Sequence, residues 1–353
     1  MLFVFSFFAS IFLVVFSVPA ISRLAYKRQL FDESQERRKI HQAHIPHFGG
    51  VGIYLGILIP AILTSSWRLE SWSLLLASLL VFTTGLVDDF KPVSPAWKFF
   101  FQFAAAFVLV VMGDVRVLSL PHIFNYDAIP YLPGVVITVW FIVGLINAFN
   151  LIDGIDGLAA SLALFLFLVY IILFFNAGSF GLCLLCCSAA GSLAGFLFFN
   201  LSSRKKIFMG DCGSLFIGLL AAYATVKILD IGEGRLLLFS THITAKIGFV
   251  VALLGVPMFD TLRVLVLRML LGRSPFQADD NHIHHRLLCL GLSHLQATAI
   301  LCGVNLMLAI LALVLQQLGD PIIILLLSIV LLFLNSLLTI LIRRSKAIDL
   351  QLR

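Results

Sequence analysis

Long apolar runs recur from one end of the chain to the other, and they constrain its fold more than any other feature. A helix that crosses a bilayer needs about 20 apolar residues. Segments that approach or reach this length are residues 2–22, 49–64, 72–88, 98–112, 133–150, 157–175, 180–199, 212–228, 244–268, 294–316 and 321–342, of which the second and fourth are short. Charged residues make up only 12% of the chain, whereas soluble domains carry about 25%. The sequence therefore predicts one all-α polytopic membrane domain, residues 1–353, with about eleven transmembrane helices.

The distribution of basic residues predicts how the chain is oriented. If the N-terminus lies outside, the inner segments hold 19 of the 24 Lys and Arg residues and the outer segments hold 5. Because cytoplasmic loops are enriched in Lys and Arg, we expect a periplasmic N-terminus and a cytoplasmic C-terminus. The net charge of +6 therefore reports orientation in the lipid bilayer and does not indicate a nucleic-acid partner.

Acidic and imidazole side chains collect at the inner ends of the predicted spans. Charge close to a bilayer is costly, so such residues are candidates for function. They are Asp88, Asp89, Asp153, Asp156, Asp211, Asp279, Asp280, His282, His284 and His285. Their position on one face predicts a single cytoplasmic active-site cleft assembled from several loops.

The adjacent carboxylates Asp88 and Asp89 end the third span. Two neighbouring carboxylates repel each other unless a cation or a shared proton intervenes, which suits Mg²⁺ binding or proton handling at a phosphate. An ordinary solvated helix end is the alternative. Lys98, just beyond, is a candidate phosphate partner, although a lysine that extends to the membrane surface would have the same position.

Polar residues recur at every third position where the fifth span meets the sixth: Asn147, Asn150, Asp153 and Asp156. The intervening glycines predict that the helix unwinds here, exposing backbone N–H groups and a helix N-terminus that suit phosphate. The spacing does not fit an EF-hand calcium loop. We expect this segment to bind a ligand.

Two further motifs complete the predicted cleft. Asp211 opens the eighth span, as either a helix cap or a Mg²⁺ ligand. The run from His282 to Arg286 has three imidazoles in four positions, which admits zinc as well as a pyrophosphate bound by charge and hydrogen bonds. The chain has no H-E-x-x-H motif of a catalytic zinc helix, so nucleotide binding is favoured. The first inner loop, which contains His41, has more His, Pro and Gly than membrane anchoring requires.

In this order, from Arg37 to Arg286, the motifs resemble those of the polyprenyl-phosphate N-acetylhexosamine-1-phosphate transferase family. That family starts common-antigen, O-antigen and teichoic-acid linkage units and includes the phospho-MurNAc-pentapeptide translocase. The resemblance implies about ten or eleven helices around a cytoplasmic cleft. It also implies Mg²⁺ (with Mn²⁺ as a substitute), an undecaprenyl-phosphate acceptor and UMP as the leaving group.

The resemblance also implies roles for single residues. Catalytic roles fall to the pair that handles the lipid phosphate, Asp88 and Asp89, and to the pair near nucleotide or metal, Asp153 and Asp156. Asn150 and Asp211 match positions linked to Mg²⁺. Substrate binding falls to Lys98, Asn147, His282, His284, His285, Arg286 and His41.

We therefore expect transfer of N-acetylglucosamine-1-phosphate from UDP-GlcNAc to undecaprenyl phosphate at the bacterial inner membrane. The His-Ile-His-His form of the histidine motif resembles the UDP-GlcNAc branch. UDP-MurNAc-pentapeptide or another UDP-N-acetylhexosamine is the first alternative donor. A secondary transporter is a distant alternative. Transporters carry charges near the bilayer midplane and have internal repeats, whereas the charged groups of the motifs above lie at the inner ends of the spans. The apolar lipid-facing surfaces are compatible with a homodimer.

Overall fold

The computed structural model describes residues 1–28, 45–64, 69–119, 128–232, 234–272 and 281–351. His41 therefore lies outside the described residues, as do Asp279 and Asp280. The helices are α1 (Leu2–Arg28), α2 (Gly49–Thr64), α3 (Leu69–Phe90), α4 (Pro95–Phe107), α5 (Tyr131–Ile152), α6 (Leu158–Asn176), α7 (Phe180–Asn200), α8 (Gly210–Asp230), α9 (Lys246–Leu253), α10 (Gly255–Leu270), α11 (Ile283–Leu288), α12 (His294–Val314) and α13 (Asp320–Gln351). A π-helical turn, Val108–Met112, extends α4, and a 3₁₀ turn, Gln316–Leu318, precedes α13. A two-stranded hairpin, Leu237–Leu238 with Thr241–His242, lies between α8 and α9.

The predicted all-α membrane fold is confirmed. Within the described ranges, nine helices are long and apolar enough to cross a membrane, and α9 with α10 forms a tenth, bent unit. The segment 49–64 forms the shorter apolar helix α2. Each of the eleven apolar segments thus contains helix, and the described chain is a multi-pass membrane protein.

The predicted span over residues 244–268 consists of two helices with a break between them. The chain bends by 75° between α9 and α10, where Pro257 lacks a backbone N–H for a continuous helix. The buried side chain of Asn305 satisfies both sides of the break: its Nδ2 donates to the Leu253 carbonyl at 2.8 Å, and its Oδ1 accepts the Val256 N–H at 3.1 Å. Because Asn305 lies on α12, the local sequence around the bend did not reveal these compensating bonds.

Helix α8 is the centre of the bundle and is buried along nearly its whole length. It packs against α3 and α5 through small residues that allow close backbone approach. A Cβ on Gly218 would lie 2.6 Å from the Ile146 Cα of α5, and a Cβ on Gly85 of α3 would lie 2.5 Å from the Cys212 backbone. These close contacts bring the inner ends of α3 and α5 beside the beginning of α8.

Candidate active site

Two cavities meet at the inner end of the bundle. One measures about 830 Å³ and the other about 730 Å³, and Asn150, Asp153 and Gly154 line both. The first, which we call the polar cavity, is also lined by Asp88, Asp89, Asp156, Asp211, His47, Phe208 and His294. The second, the apolar cavity, has walls from α4, α5 and α10 and is also lined by Lys98, Asn147, His282, His284 and His285.

Lys98 joins two of the candidate carboxylates. Its Nζ lies 2.5 Å from Oδ2 of Asp88 and 2.6 Å from Oδ2 of Asp211. On the other side of Asp211, the Asn150 Nδ2 donates to Oδ1 at 3.0 Å and also to the Ser214 hydroxyl. Side chains from α3, α4, α5 and α8 thus form one cluster, as the motif positions predicted.

Asp89 has different contacts from its neighbour. Its two carboxylate oxygens accept the backbone N–H groups of Asp211, at 2.7 Å, and Cys212, at 3.1 Å. These are N–H groups of the first turn of α8, which have no partner within the helix. Gly210 allows the contact, because it has a φ of +73° and a Cβ there would lie 2.7 Å from Oδ2 of Asp89. Asp89 therefore caps the helix that carries Asp211, and its catalytic role stays a prediction.

The predicted unwinding between the fifth and sixth spans is present. Helix α5 ends at Ile152, and α6 begins at Leu158, after Gly157 with a φ of +77°. Asp153 occupies this loop, where burial, together with the carboxylates of Asp211, Asp89 and Asp156, raises its pKa well above the usual range. A neutral Asp153 carboxyl could donate a hydrogen bond as well as accept one.

Asp156 ties three segments together at the polar cavity. Its Oδ2 accepts from the Lys206 Nζ at 2.6 Å and lies 2.9 Å from the His294 Nδ1. Its backbone carbonyl accepts the Thr298 hydroxyl at 2.9 Å. Lys206 is one of the basic residues of the inner segments that predict membrane orientation, and His294 belongs to no local motif. Only the tertiary fold places α12 beside this loop.

The three motif histidines lie in a row. The His284 ring centroid is 5.7 Å from that of His282 and 4.3 Å from that of His285. His284 is 1% exposed, and neither ring nitrogen has a hydrogen-bond partner among the described residues. Burial, with a smaller contribution from His285, lowers the pKa of His284 to about 3, so its imidazole is neutral near pH 7. Its unpaired nitrogens are therefore free to accept or donate one hydrogen bond each to a ligand.

The remaining substrate-binding candidates are engaged within the protein. The Asn147 Nδ2 donates to Oε1 of Gln102 at 2.7 Å across the apolar cavity wall. Arg286 donates to the side chains of Asn335 and Thr339, both at 2.5 Å, and so joins α11 to α13. A direct contact of Arg286 with pyrophosphate stays a prediction.

The donor set fits Mg²⁺. Among the residues that the structure describes, no group of three or more His, Cys, Asp or Glu side chains is arranged to hold a metal ion. Mg²⁺ does not need such a group, because it binds through one or two carboxylates and completes its shell with water and substrate phosphates. Asp211 and Asp88, whose carboxylates both contact Lys98, supply hard oxygen ligands of the kind that Mg²⁺ prefers. Asn150, whose Nδ2 contacts Asp211, carries an amide oxygen of the same kind.

Comparisons with known proteins identify the family of the chain. The sequence profile of glycosyl transferase family 4 matches residues 71–229, a range that includes Asp88, Asn150 and Asp211. A probable undecaprenyl-phosphate N-acetylglucosaminyl 1-phosphate transferase of Bacillus subtilis (strain 168) is 31% identical over 316 residues, which cover 88% of this chain and 84% of the relative.

Two further relatives come from other groups of bacteria. An undecaprenyl-phosphate alpha-N-acetylglucosaminyl 1-phosphate transferase of Yersinia pestis is 30% identical over 81% of this chain and 78% of its own length. A decaprenyl-phosphate N-acetylglucosaminephosphotransferase of Mycobacterium tuberculosis (strain ATCC 25618 / H37Rv) is 34% identical over 75% of this chain and 70% of its own length. The chain is therefore a membrane-embedded phosphotransferase that belongs to glycosyl transferase family 4.

Proposed function

We propose that the protein transfers N-acetylglucosamine-1-phosphate from UDP-GlcNAc to undecaprenyl phosphate, releasing UMP. The observation that carries this proposal is the meeting of a polar and an apolar cavity at Asn150, Asp153 and Gly154. A reaction between a water-soluble nucleotide sugar and a long-chain lipid needs two such compartments with one shared boundary. The names of the relatives supply the sugar and the lipid.

The apolar cavity suits the lipid acceptor. Its walls carry Trp140, Leu262 and Leu265, and the polar residues Lys98 and Asn150 line it as well. A prenyl chain gains free energy from apolar walls, while an ammonium group attracts a phosphate. We place the lipid phosphate beside Lys98.

The polar cavity suits the nucleotide sugar. The Phe208 ring, which lines it, lies 5.0 Å from the His47 ring and 5.3 Å from the Lys206 Nζ, measured to ring centroids. An aromatic face offers a stacking surface to a base, and Asp156 supplies a carboxylate for hydrogen bonds. The donor's pyrophosphate would then extend toward the shared boundary and the unpaired nitrogens of His284.

In the proposed reaction, an oxygen of the lipid phosphate attacks the β-phosphorus of UDP-GlcNAc in line. The bond from that phosphorus to the bridging oxygen breaks, and the bridging oxygen leaves with UMP. Asp88 holds Lys98 in place and keeps the lipid phosphate ionised. Asp211 and Asn150 would hold Mg²⁺, which offsets negative charge on the pyrophosphate and the departing UMP.

We place the site on the cytoplasmic face of the bacterial inner membrane. The basic residues of the inner segments support this orientation, and the motif residues described above lie at the same end of the bundle. UDP-sugars are made in the cytoplasm, so a site on this face has direct access to its donor.

The experiment supplies purified protein with undecaprenyl phosphate, Mg²⁺ and radiolabelled UDP-GlcNAc. We expect label in the lipid extract and an equal amount of UMP, with at least a 100-fold loss, about the scale of a general acid–base contribution, in Asp88→Asn. His242→Ala, at an exposed site in the hairpin, is the matched control and should keep full activity. If product forms with UDP-MurNAc-pentapeptide and not with UDP-GlcNAc, the reaction class stands but the donor is UDP-MurNAc-pentapeptide. The absence of product with any UDP-sugar, in protein shown to be folded, would overturn the proposal.

A second arm of that experiment separates the chemical routes. Direct transfer requires both substrates, so no label should pass from radiolabelled UMP into UDP-GlcNAc when the lipid is omitted. Exchange without lipid would indicate a covalent enzyme intermediate instead.

A further inference from the structure

Asp260 is a buried carboxylate in the apolar helix α10. It is 1% exposed, and a carboxylate in a membrane-embedded helix is costly unless it is paired. It belongs to none of the motifs identified in the sequence, and it does not line either cavity described above. Its role must be sought in the groups that it contacts.

All three partners of Asp260 belong to or hold the segment that contains the histidine motif. Its Oδ2 lies 2.9 Å from the His282 Nδ1, and its Oδ1 accepts the Ile283 N–H at 3.0 Å. Oδ1 also accepts from the Arg263 Nη2 at 2.9 Å, and the same Nη2 donates to the Asn281 carbonyl. Asp260 and Arg263 thus fix three consecutive residues at the beginning of α11.

The bond to Asp260 determines which nitrogen of His282 faces a ligand. With Nδ1 bound to the carboxylate, Nε2 is the ring nitrogen that remains, and His282 lines the apolar cavity. A carboxylate on one imidazole nitrogen fixes the tautomer and the orientation of the ring. The His282 ring is also stacked on His284, with 14° between the planes, and a Cβ on Gly154 would lie 2.1 Å from the His284 Nε2.

We propose that Asp260 is a positioning residue that orients His282 so that its Nε2 faces, and hydrogen-bonds with, a phosphate group of a bound substrate. Arg263 assists by holding the backbone at Asn281. Asp260 acts through His282 and does not contact the substrate itself. The identity of the phosphate rests on the proposed function, since both the lipid and the nucleotide sugar carry one.

The test is a double-mutant cycle of Asp260→Asn and His282→Asn, read as kcat/KM for each substrate. We expect Asp260→Asn to lower kcat/KM by about 10- to 100-fold, the range measured for partners that orient a ligating histidine. If Asp260 acts through His282, the double variant should be no less active than His282→Asn alone. The substrate whose KM rises in both single variants is the one that His282 contacts. Losses that multiply in the double variant would overturn the proposal.

Asp320→Asn is the matched control for the loss of a buried carboxylate. Asp320 is also 1% exposed, and its Oδ1 accepts a backbone N–H, that of Gly248, at 2.8 Å. It lies at the beginning of α13, 15 residues before Asn335, the nearer of the two partners of Arg286 on that helix. We expect Asp320→Asn to lower thermal stability with little change in kcat/KM, and its effect should combine independently with that of His282→Asn.

A second test does not depend on enzyme activity, because it reads the protonation of the His282 ring by NMR. It applies even if Asp260→Asn does not fold or if the wild-type protein has no transferase activity. In ¹⁵N-histidine-labelled protein in bilayers, the resonance that disappears in His282→Asn should show a protonated Nδ1. An unprotonated Nδ1 would overturn the proposal whatever the activity. Arg263→Gln, which removes the contact with Asn281, should show the same dependence on His282 in the kinetic cycle. An inactive wild-type protein with a protonated Nδ1 would instead contradict the proposed function.

Discussion

The carboxylate of Asp89 holds the backbone of Asp211, whose own carboxylate lies 2.6 Å from the Lys98 Nζ. The two aspartates that end α3 therefore differ in role, because Asp88 bonds to Lys98 whereas Asp89 bonds to the beginning of α8. Adjacent residues on a helix point in different directions. Both aspartates line the polar cavity, but the Asp88 carboxylate contacts Lys98 whereas the Asp89 carboxylate contacts the first turn of α8.

The first prediction separates these two aspartates. Asp89→Asn keeps one acceptor oxygen of two, so it should lower the free energy of unfolding by about 1–2 kcal/mol, as the loss of a helix cap does. Asp88→Asn should lower kcat by about 100-fold or more while the melting temperature changes little, since Lys98 keeps Asp211 as a partner. Thermal unfolding and kcat measured on both variants check this. A larger loss of stability in Asp88→Asn than in Asp89→Asn would contradict the assignment.

The second prediction concerns the contact between Gly154 and His284. Gly154→Ala would place a Cβ 2.1 Å from the His284 Nε2, so the ring or the loop must move. We expect a destabilisation of about 1–3 kcal/mol, as for overpacking, together with a loss of transferase activity. Thermal melting and the lipid-extraction assay measure the two effects.

Two variants test the cause of that effect. Gly303→Ala in α12 has no atom within 4 Å of the added Cβ, so it should keep full activity and stabilise the helix by up to about 1 kcal/mol. Gly154→Ala combined with His284→Ala should recover the melting temperature, because the clash is removed. If the double variant melts as low as Gly154→Ala alone, the clash with His284 is not the cause.

Much of this arrangement could be predicted from the sequence, because the information is local. Apolar length predicts the helices, and the aspartate and asparagine motifs predict which inner ends carry polar groups. The remaining features depend on partners that are distant in the sequence. Asn305 compensates the break after Leu253 from another helix, and Asp260 meets His282, which lies 22 residues further along the chain. Asp260 nevertheless carried a signal, since a carboxylate within an apolar span is rarely without function.

The third prediction is a pH dependence of stability that arises from His284. Its pKa is about 3 in the folded protein and about 6.5 in an unfolded chain. Between these values the unfolded state binds the proton and the folded state does not, so stability falls as the pH falls from about 6.5 toward 3. Above about 6.5 the imidazole is neutral in both states and contributes no slope.

The variant His284→Gln isolates this contribution, because it removes the titrating group and keeps a polar side chain. Near pH 5, the free energy of unfolding of the wild-type protein should fall by up to about 1.4 kcal/mol more per pH unit than that of the variant. Chemical denaturation at a series of pH values between 7 and 4 measures both slopes. Equal slopes would show that His284 is protonated in the folded protein at a normal pKa.

The fourth prediction concerns Mg²⁺ and Asp211. Asp211→Asn keeps the shape of the side chain but removes the negative charge of the carboxylate that we propose binds Mg²⁺. Because proteins usually bind Mg²⁺ through only one or two carboxylates, the Mg²⁺ concentration for half-maximal activity should rise by about tenfold or more. Mg²⁺ should raise the melting temperature of the substrate-free wild-type protein, as any ligand of the folded state does, and this shift should disappear in Asp211→Asn. Asp230→Asn, at the exposed opposite end of the same helix, should keep the shift in full. If Asp211→Asn keeps the Mg²⁺-dependent shift as well, the metal is held elsewhere and Asp211 serves only as the partner of Lys98 and Asn150.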